Sequence, residues 1–210
     1  MGDALIRESD LRARVPVKPS CCMLEGKLTR LRKIEPDDLP AVLAWRNSPE
    51  VRDYLFATKE ISADEHRAWY ERLRTDHSKE VFVITDLAGQ PLGLAQLFDI
   101  DYPNSRAEWG FYISDPRNRR AGYGAEAEYL ILRYAFDELK LHRIYCHTLA
   151  FNKSVLSLHE RFNFKQEGVL RAHIRRDNQP HDVVITAILK EEFAEVREKV
   201  EQLLGRIAER

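Results

Sequence analysis

The stretch DPRNRRAGYGAEAEYLILRYAF, residues 115–136, sets three of its four arginines and two near-adjacent glycines at the head of an amphipathic helical pattern. The first turn of a helix has unpaired N–H groups and the positive end of the helix dipole, so it attracts an anion. Arg117, Arg119 and Arg120 add charge-assisted donors, and Gly122 and Gly124 would let phosphates approach the backbone, which points to a diphosphate. The same residues are equally compatible with a tight turn flanked by solvated arginines. Two familiar phosphate loops are excluded. No Gly-Lys-Ser/Thr closes the segment, and the strands ahead of it read as an antiparallel series, not the alternating βαβ unit of a dinucleotide fold.

The elements that must position this loop follow from periodicity. KLTRLRKI (27–34) reads as a strand and EPDDLPAVLAWRN as a helix opened by Pro and acids. Ser62 with Glu65 three residues on is a capping box, so a second helix starts near residue 63. EVFVITDLAGQPLGLAQLFDID gives two strands joined by a turn, and AEWGFYI (107–113) a third. A broad apolar face from Ala125 to Leu139 predicts a buried helix over 122–139. RIYCHTLA then reads as a strand, NKSVLSLHERFN as a helix capped by Asn152, and FKQEGVLRAHIRR with PHDVVITAIL as a final strand pair. The order is β-α-α-β-β-β-α-β-α-β-β, a mixed α/β chain of the α+β type. With 210 residues, 44% of them hydrophobic, and no Pro/Gly/Ser-rich linker, the chain reads as one core with additions at its ends. A net charge of −1 lacks the basic excess of a nucleic-acid binder, so no nucleic-acid partner is expected. No apolar run suits a bilayer or a signal peptide, which predicts no membrane partner and a cytoplasmic protein. Three cysteines, two adjacent, show no metal-ligand spacing and read as reduced thiols without a role; no metal is expected.

Taken together, these features resemble the GNAT superfamily of acetyl-CoA-dependent N-acyltransferases. Its Arg-x-x-Gly-x-Gly/Ala signature is matched by Arg119, Gly122 and Gly124, after the AEWGFYI strand and before a long helix. The second signature, an Asn followed by a small residue and closed by Gly-Phe, is matched in NKSVLSLHERFNF by Asn152, Ser154, His159, Glu160, Asn163 and Phe164. The resemblance spans residues 24 to 192. It implies a GNAT fold, a mixed central sheet splayed at the acetyl-CoA site with flanking helices and a C-terminal helix. It also implies that the strands at 107–113 and 143–150 part to lodge the pantetheine arm of acetyl-CoA, the cosubstrate. Phe111, Tyr112 and Ile113 then border that arm. Arg117, Arg119, Arg120, Ala121, Gly122, Tyr123, Gly124 and Ala125 hold the diphosphate, while Asn152 and Ser154 face the pantetheine or thioester.

The implied reaction is direct attack of an amine on an acetyl thioester, with no metal. Glu108 matches a glutamate of related enzymes and could take the ammonium proton directly or through a water; equally, it is a half-buried carboxylate ordering its strand. His159 stands where relatives carry a tyrosine acid and could protonate the departing thiolate, or could simply pack. Tyr112 and Tyr145 read as wall residues, and His142 and His147 as structural. The segment AWRNSPEVRDYLFATKEISADEHRAWY is expected to roof the acceptor end, with Trp45, Arg46, Asn47, Arg52, Tyr54 and His66 as substrate-binding candidates. The alternative is that its aromatics pack helices while its arginines pair with Glu50, Asp53 and Glu65. The branch resembled contains ribosomal-protein and spermidine acetyltransferases, and the similarity is greatest to amino-sugar N-acetyltransferases of the pseudaminic acid pathway. The expected acceptor is the 4-amine of a UDP-linked amino sugar; the competing readings are a protein N-terminal or polyamine acetyltransferase and a non-catalytic acyl-CoA-binding module.

Residues 1–22 read as a flexible extension, 23–192 as the catalytic domain, and 193–210 as an amphipathic helix. Its stripe of Phe193, Val196, Val200, Leu203 and Ile207 must dock on the domain or on a second subunit, with a homodimer favoured.

Overall fold

The computed structural model describes residues 23–119 and 121–209. The expectations placed on residues 1–22, including Cys21 and Cys22, and on Arg120 lie outside them.

Eight strands form one sheet in the order β1 (Met23–Glu25), β2 (Thr29–Lys33), β3 (Glu80–Asp86), β4 (Pro91–Asp101), β5 (Arg106–Ile113), β6 (Arg143–Leu149), β8 (Gln179–Leu189), β7 (Lys165–Arg176). Every neighbouring pair is antiparallel except β5 and β6. The strand expected at 27–34 is the second arm of a hairpin, because Gly26 turns the chain and β1 pairs back onto β2.

The parallel pairing of β5 with β6 covers only Arg106↔Arg143, Ala107↔Ile144 and Glu108↔Tyr145. Beyond that, β5 stays with β4 to Ile113, and β6 stays with β8 to Leu149, so the sheet opens as a V. A bulge in β4 between Phe98 and Asp101, with Asp99 at φ +50°, lies opposite Glu108. An extra residue on one strand sharpens its twist, which swings β5 away from β6 at that point.

On one face of the sheet lie α4 (Tyr123–Arg133), its continuation in a wider π turn at Tyr134–Glu138, and α6 (Lys190–Ala208). Odd-numbered β5 residues Trp109 and Ile113 and even-numbered β6 residues Ile144 and Cys146 enter this core with Leu130, Ile131, Phe136, Phe193, Val200 and Leu204. The opposite face carries α1 (Leu39–Asn47), α2 (Pro49–Arg52) and α3 (Ala63–Leu73) over Val81, Val83 and Leu94. Ser62 and Glu65 form the expected capping box at the start of α3. Between the V and β7, α5 (Lys153–Arg161) begins at Asn152, whose Oδ1 accepts from the Val155 N–H.

The apolar stripe of α6 packs on its own chain. Phe193, Val200 and Leu204 are buried against α4, and the Tyr129 hydroxyl bonds to Glu201. Of the expected stripe, Phe193 and Val200 are buried while Val196, Leu203 and Ile207 stay partly exposed, so the chain itself covers only part of the feature that favoured a homodimer. No described helix is long and apolar enough to cross a membrane.

Candidate active site

The V is lined on two sides by different chemistry. On the α4 side, Gly122 stands at φ +91°, a left-handed conformation that glycine adopts without strain. A Cβ there would also lie 2.7 Å from Ile207 Cγ2 and 3.1 Å from Leu28 Cδ1. At Gly124 a Cβ would lie 2.7 Å from Phe111 Cε2, on a ring stacked 4.9 Å from that of Trp109. The two glycines were expected to admit phosphates; the structure gives both a packing reason first, the C-terminal helix for one and Phe111 for the other. The first turn of α4 still carries the unpaired N–H groups and positive dipole end of any helix start.

That turn is braced from below. Glu126 is buried, and its carboxylate accepts from the backbone N–H groups of Lys27, Leu28 and Thr29 at 2.6–2.7 Å and from the Thr29 hydroxyl at 2.9 Å. Nothing in the spacing signalled this anchor, because its partners lie nearly a hundred residues away.

The arginines behave differently from one another. Arg117 points outward and pairs with Asp115. Arg119 folds back, donating from Nε to the Ile113 carbonyl and from Nη2 to the Glu50 carbonyl, with its guanidinium 5.3 Å from the Tyr54 ring centre. Phe111, Tyr123 and Ala125 pack partly buried against the core, Ile113 is buried, and Ala121 and Ser154 are exposed.

At the apex, Glu108 reaches across from β5 to β6. Its Oε1 lies 3.0 Å from His147 Nδ1 and 3.3 Å from the His147 backbone N. Burial raises the Glu108 carboxyl above its ordinary range, and His147 works against that shift. His147 was expected to be structural; it is instead the direct partner of the candidate base, a pairing created by the register of two strands 39 residues apart. On the same face the Tyr112 hydroxyl is buried without a hydrogen-bond partner among the described residues, and burial pushes its ionisation well above the ordinary tyrosine range. The nearby Arg46 donates from Nη2 to the Ala57 carbonyl, while its Nη1 is also buried and unpartnered.

His159 lies elsewhere. It is 2% exposed, stacked on Phe164, with Nδ1 3.1 Å from Thr186 Oγ1 and Nε2 4.0 Å from the fully buried Glu128. Burial lowers it to about 4, so it is neutral at physiological pH. Both ring nitrogens face inward, and the expected role in protonating the thiolate gains no support from this geometry.

The roof candidates separate in the same way. His66 is buried and stacked on Trp69, and Trp45 packs on the second core, so both serve packing. Asn47 exchanges two hydrogen bonds with the Ile61 backbone, and Arg52 pairs with Glu60, not with the acids expected. Tyr54 is exposed and lines an open cleft of about 560 Å³ with Pro49, Glu50, Asp53, Arg119, Phe151, Arg176 and His181. Phe151, Arg176 and His181 were missed because they come from the ends of β6 and the β7–β8 hairpin, where no motif marks them. Arg176 donates to the Asp53 and Leu55 carbonyls and lies 5.7 Å from the Phe151 ring centre. Among the described residues no group of three or more His, Cys, Asp or Glu is placed to hold a metal.

The splayed strands fit a pantetheine arm. Past Glu108 the β5 edge has no strand partner on the β6 side among the described residues.

The family described as "Acetyltransferase (GNAT) domain" matches residues 29–165. The chain is 28% identical over 170 residues to spermidine N(1)-acetyltransferase of Vibrio cholerae, covering 81% of this chain and 97% of that one. The crystal structure of the Vibrio cholerae spermidine N-acetyltransferase in complex with CoA and spermine superposes with a TM-score of 0.76 at 27% identity, covering 80% of this chain and 99% of that chain. Acetyltransferase PseH of Campylobacter jejuni is 25% identical over 138 residues, 66% of this chain and 83% of that one. With that match on a sheet parted between β5 and β6, the chain belongs to the GNAT acetyltransferase family and is an acetyl-CoA-dependent N-acetyltransferase.

Proposed function

We propose that this cytoplasmic enzyme acetylates the primary amine of an anionic, ring-bearing acceptor, the 4-amine of a UDP-linked amino sugar. The observation that carries this reading is the cleft at the mouth of the V. Arg119 and Arg176 line it with their guanidinium groups bonded to neutral backbone carbonyls, and no ion pair joins either to a carboxylate among the described residues. Their charge is thus available to a phosphate, while Tyr54, Phe151 and His181 offer ring faces to a base.

The cosubstrate supplies an acetyl thioester. The chain's own part is to hold the diphosphate at the first turn of α4, to align the pantetheine along the β5 edge, and to strip a proton from the acceptor ammonium at the apex, where Glu108 stands.

A second reading rests on Glu50 and Asp53, which share the cleft wall and would suit a polyamine. The homodimer reading rests on the part of the α6 stripe, Val196, Leu203 and Ile207, that stays partly exposed.

Thiol release from acetyl-CoA, followed with UDP-linked 4-amino sugars, spermidine and basic N-terminal peptides, decides between them. The sugar nucleotide is expected to show the highest kcat/KM. Turnover with spermidine alone would replace the proposal by the polyamine reading, and binding without any turnover would leave only a non-catalytic module.

A further inference from the structure

We infer that His147 is the group that takes the proton from the acceptor amine, and that Glu108 is its positioning residue. The inference rests on the acetyl-transfer reading of this site but not on the identity of the acceptor.

Three observations converge. His147 lies two residues past Tyr145, the last β6 residue paired with β5, so it occupies the point where the V begins to open. Its side chain is 27% exposed, against 11% for Glu108, so the imidazole and not the carboxylate reaches the space where an amine can arrive. Glu108 Oε1 engages Nδ1 at 3.0 Å and the backbone N–H of the same residue at 3.3 Å, which fixes the ring from two directions. A carboxylate on Nδ1 selects the tautomer with its proton there and leaves Nε2 as the lone-pair nitrogen. Nε2 accepts no hydrogen bond from the described residues. The Tyr145 ring stands edge-on to the imidazole at 5.8 Å and limits its rotation. This is the orienter–base arrangement of hydrolytic triads, built here from two parallel strands at the point where they separate.

Proton and bond accounting is complete with these groups. Nε2 takes one proton from R–NH3+, and Glu108 stabilises the resulting imidazolium. The freed amine lone pair forms the C–N bond to the thioester carbonyl carbon, and the C–S bond breaks. The second amine proton leaves with the departing sulfur, giving amide and free thiol, and His147 returns its proton to solvent.

The charged groups around His147 come from several elements. Glu108 faces it from β5, with Asp99 of β4 acting on Glu108 from behind. Tyr145 is its neighbour on β6, itself flanked by Arg106 and Arg143. On β8 the residue opposite is Ile185, which carries no charge.

The test uses the full chain, acetyl-CoA and whichever amine turns over fastest. His147→Asn keeps a donor toward Glu108 but has no base in place of Nε2. It should lower kcat by about a hundredfold or more and remove the acidic limb of the pH profile. Its acetyl-CoA Kd should stay within about twofold of the parent, since no Nε2 contact is lost to the cosubstrate. Glu108→Gln should also lower kcat, because the ring loses the carboxylate that orients it through Nδ1, while the KM for acetyl-CoA stays near the parent value. Nitrogen-15 histidine spectra of the unaltered enzyme should show the His147 proton on Nδ1, a readout that needs no variant. A failed acceptor proposal would only change which amine is used. Retention of the acidic limb in His147→Asn with kcat within about threefold, or a proton on Nε2 in the parent, would overturn the inference.

Discussion

The two walls of the V are built on different principles. The α4 wall is closed by short-range fit: Gly124 yields to Phe111, Gly122 to Ile207 and Leu28, and Gly26 to the Glu126 carboxylate, 2.4 Å from where a Cβ would stand. The roof wall is tied by long polar side chains that reach backbone carbonyls: Arg46 to Ala57, Arg119 to Glu50, Arg176 to Asp53 and Leu55. The first wall leaves no freedom in residue type. The second depends on the arginines and hardly at all on the side chains at 53–61, and it keeps spare buried donors at Arg46 Nη1, Tyr112 and Arg176 Nε. On the proposed assignment, the wall for the invariant cosubstrate is preorganised and the wall for the acceptor retains groups for it to satisfy.

The largest effect should come from the anchor of the first wall. Glu126→Ala strands the buried Thr29 N–H and hydroxyl and the part-buried N–H groups of Lys27 and Leu28, which costs about 3 kcal/mol in urea unfolding. It should also raise the KM for acetyl-CoA more than that for the amine. An equal rise in both would erase the distinction between the walls.

A smaller effect comes from the sealed space behind that wall, where His159 is held neutral. Its folded value of about 4 lies below the usual 6.5 of a free histidine, so the stability it contributes is complete above pH 6.5 and fades as pH falls toward 4. The full swing is about 3 kcal/mol. Buried Glu128 runs the other way above the ordinary carboxylate range, so the informative quantity is the difference between His159→Phe and the parent, measured by thermal unfolding across pH 4–8. The variant should lose less stability on acidification while keeping its kcat within about threefold, as a residue without transition-state contact does. A large kcat loss would return His159 to catalysis.

The sequence disclosed the first wall far better than the second. Gly122 and Gly124 sit two residues apart at a helix start, so local spacing carries their meaning, and the divergence of β5 from β6 followed from the family resemblance they supported together with Arg119 of the other wall. What the glycines fit against was hidden, since Phe111 and Ile207 reach them only through tertiary packing. Glu108 was visible and His147 was not, because their pairing depends on a parallel register that no local pattern encodes. The roof segment contributes both packing and cleft residues. Its composition could not separate packing residues such as His66 from cleft residues such as Tyr54, since helix depth decides that. Phe151, Arg176 and His181 arrive from distant strand ends. His159 looked catalytic by position and is buried because its ring fills the space beside Phe164 and Thr186.

The most direct test is the ratio of kcat/KM for a UDP-linked 4-amino sugar to that for spermidine, in the parent enzyme and in Arg176→Gln, with acetyl-CoA saturating. Arg176 is held by two carbonyls at the mouth of the V, and its charge is not matched by an ion pair among the described residues. The account predicts a ratio well above one that falls about tenfold in the variant, with the KM for acetyl-CoA unchanged. A ratio below one, or one that the substitution does not move, would contradict it.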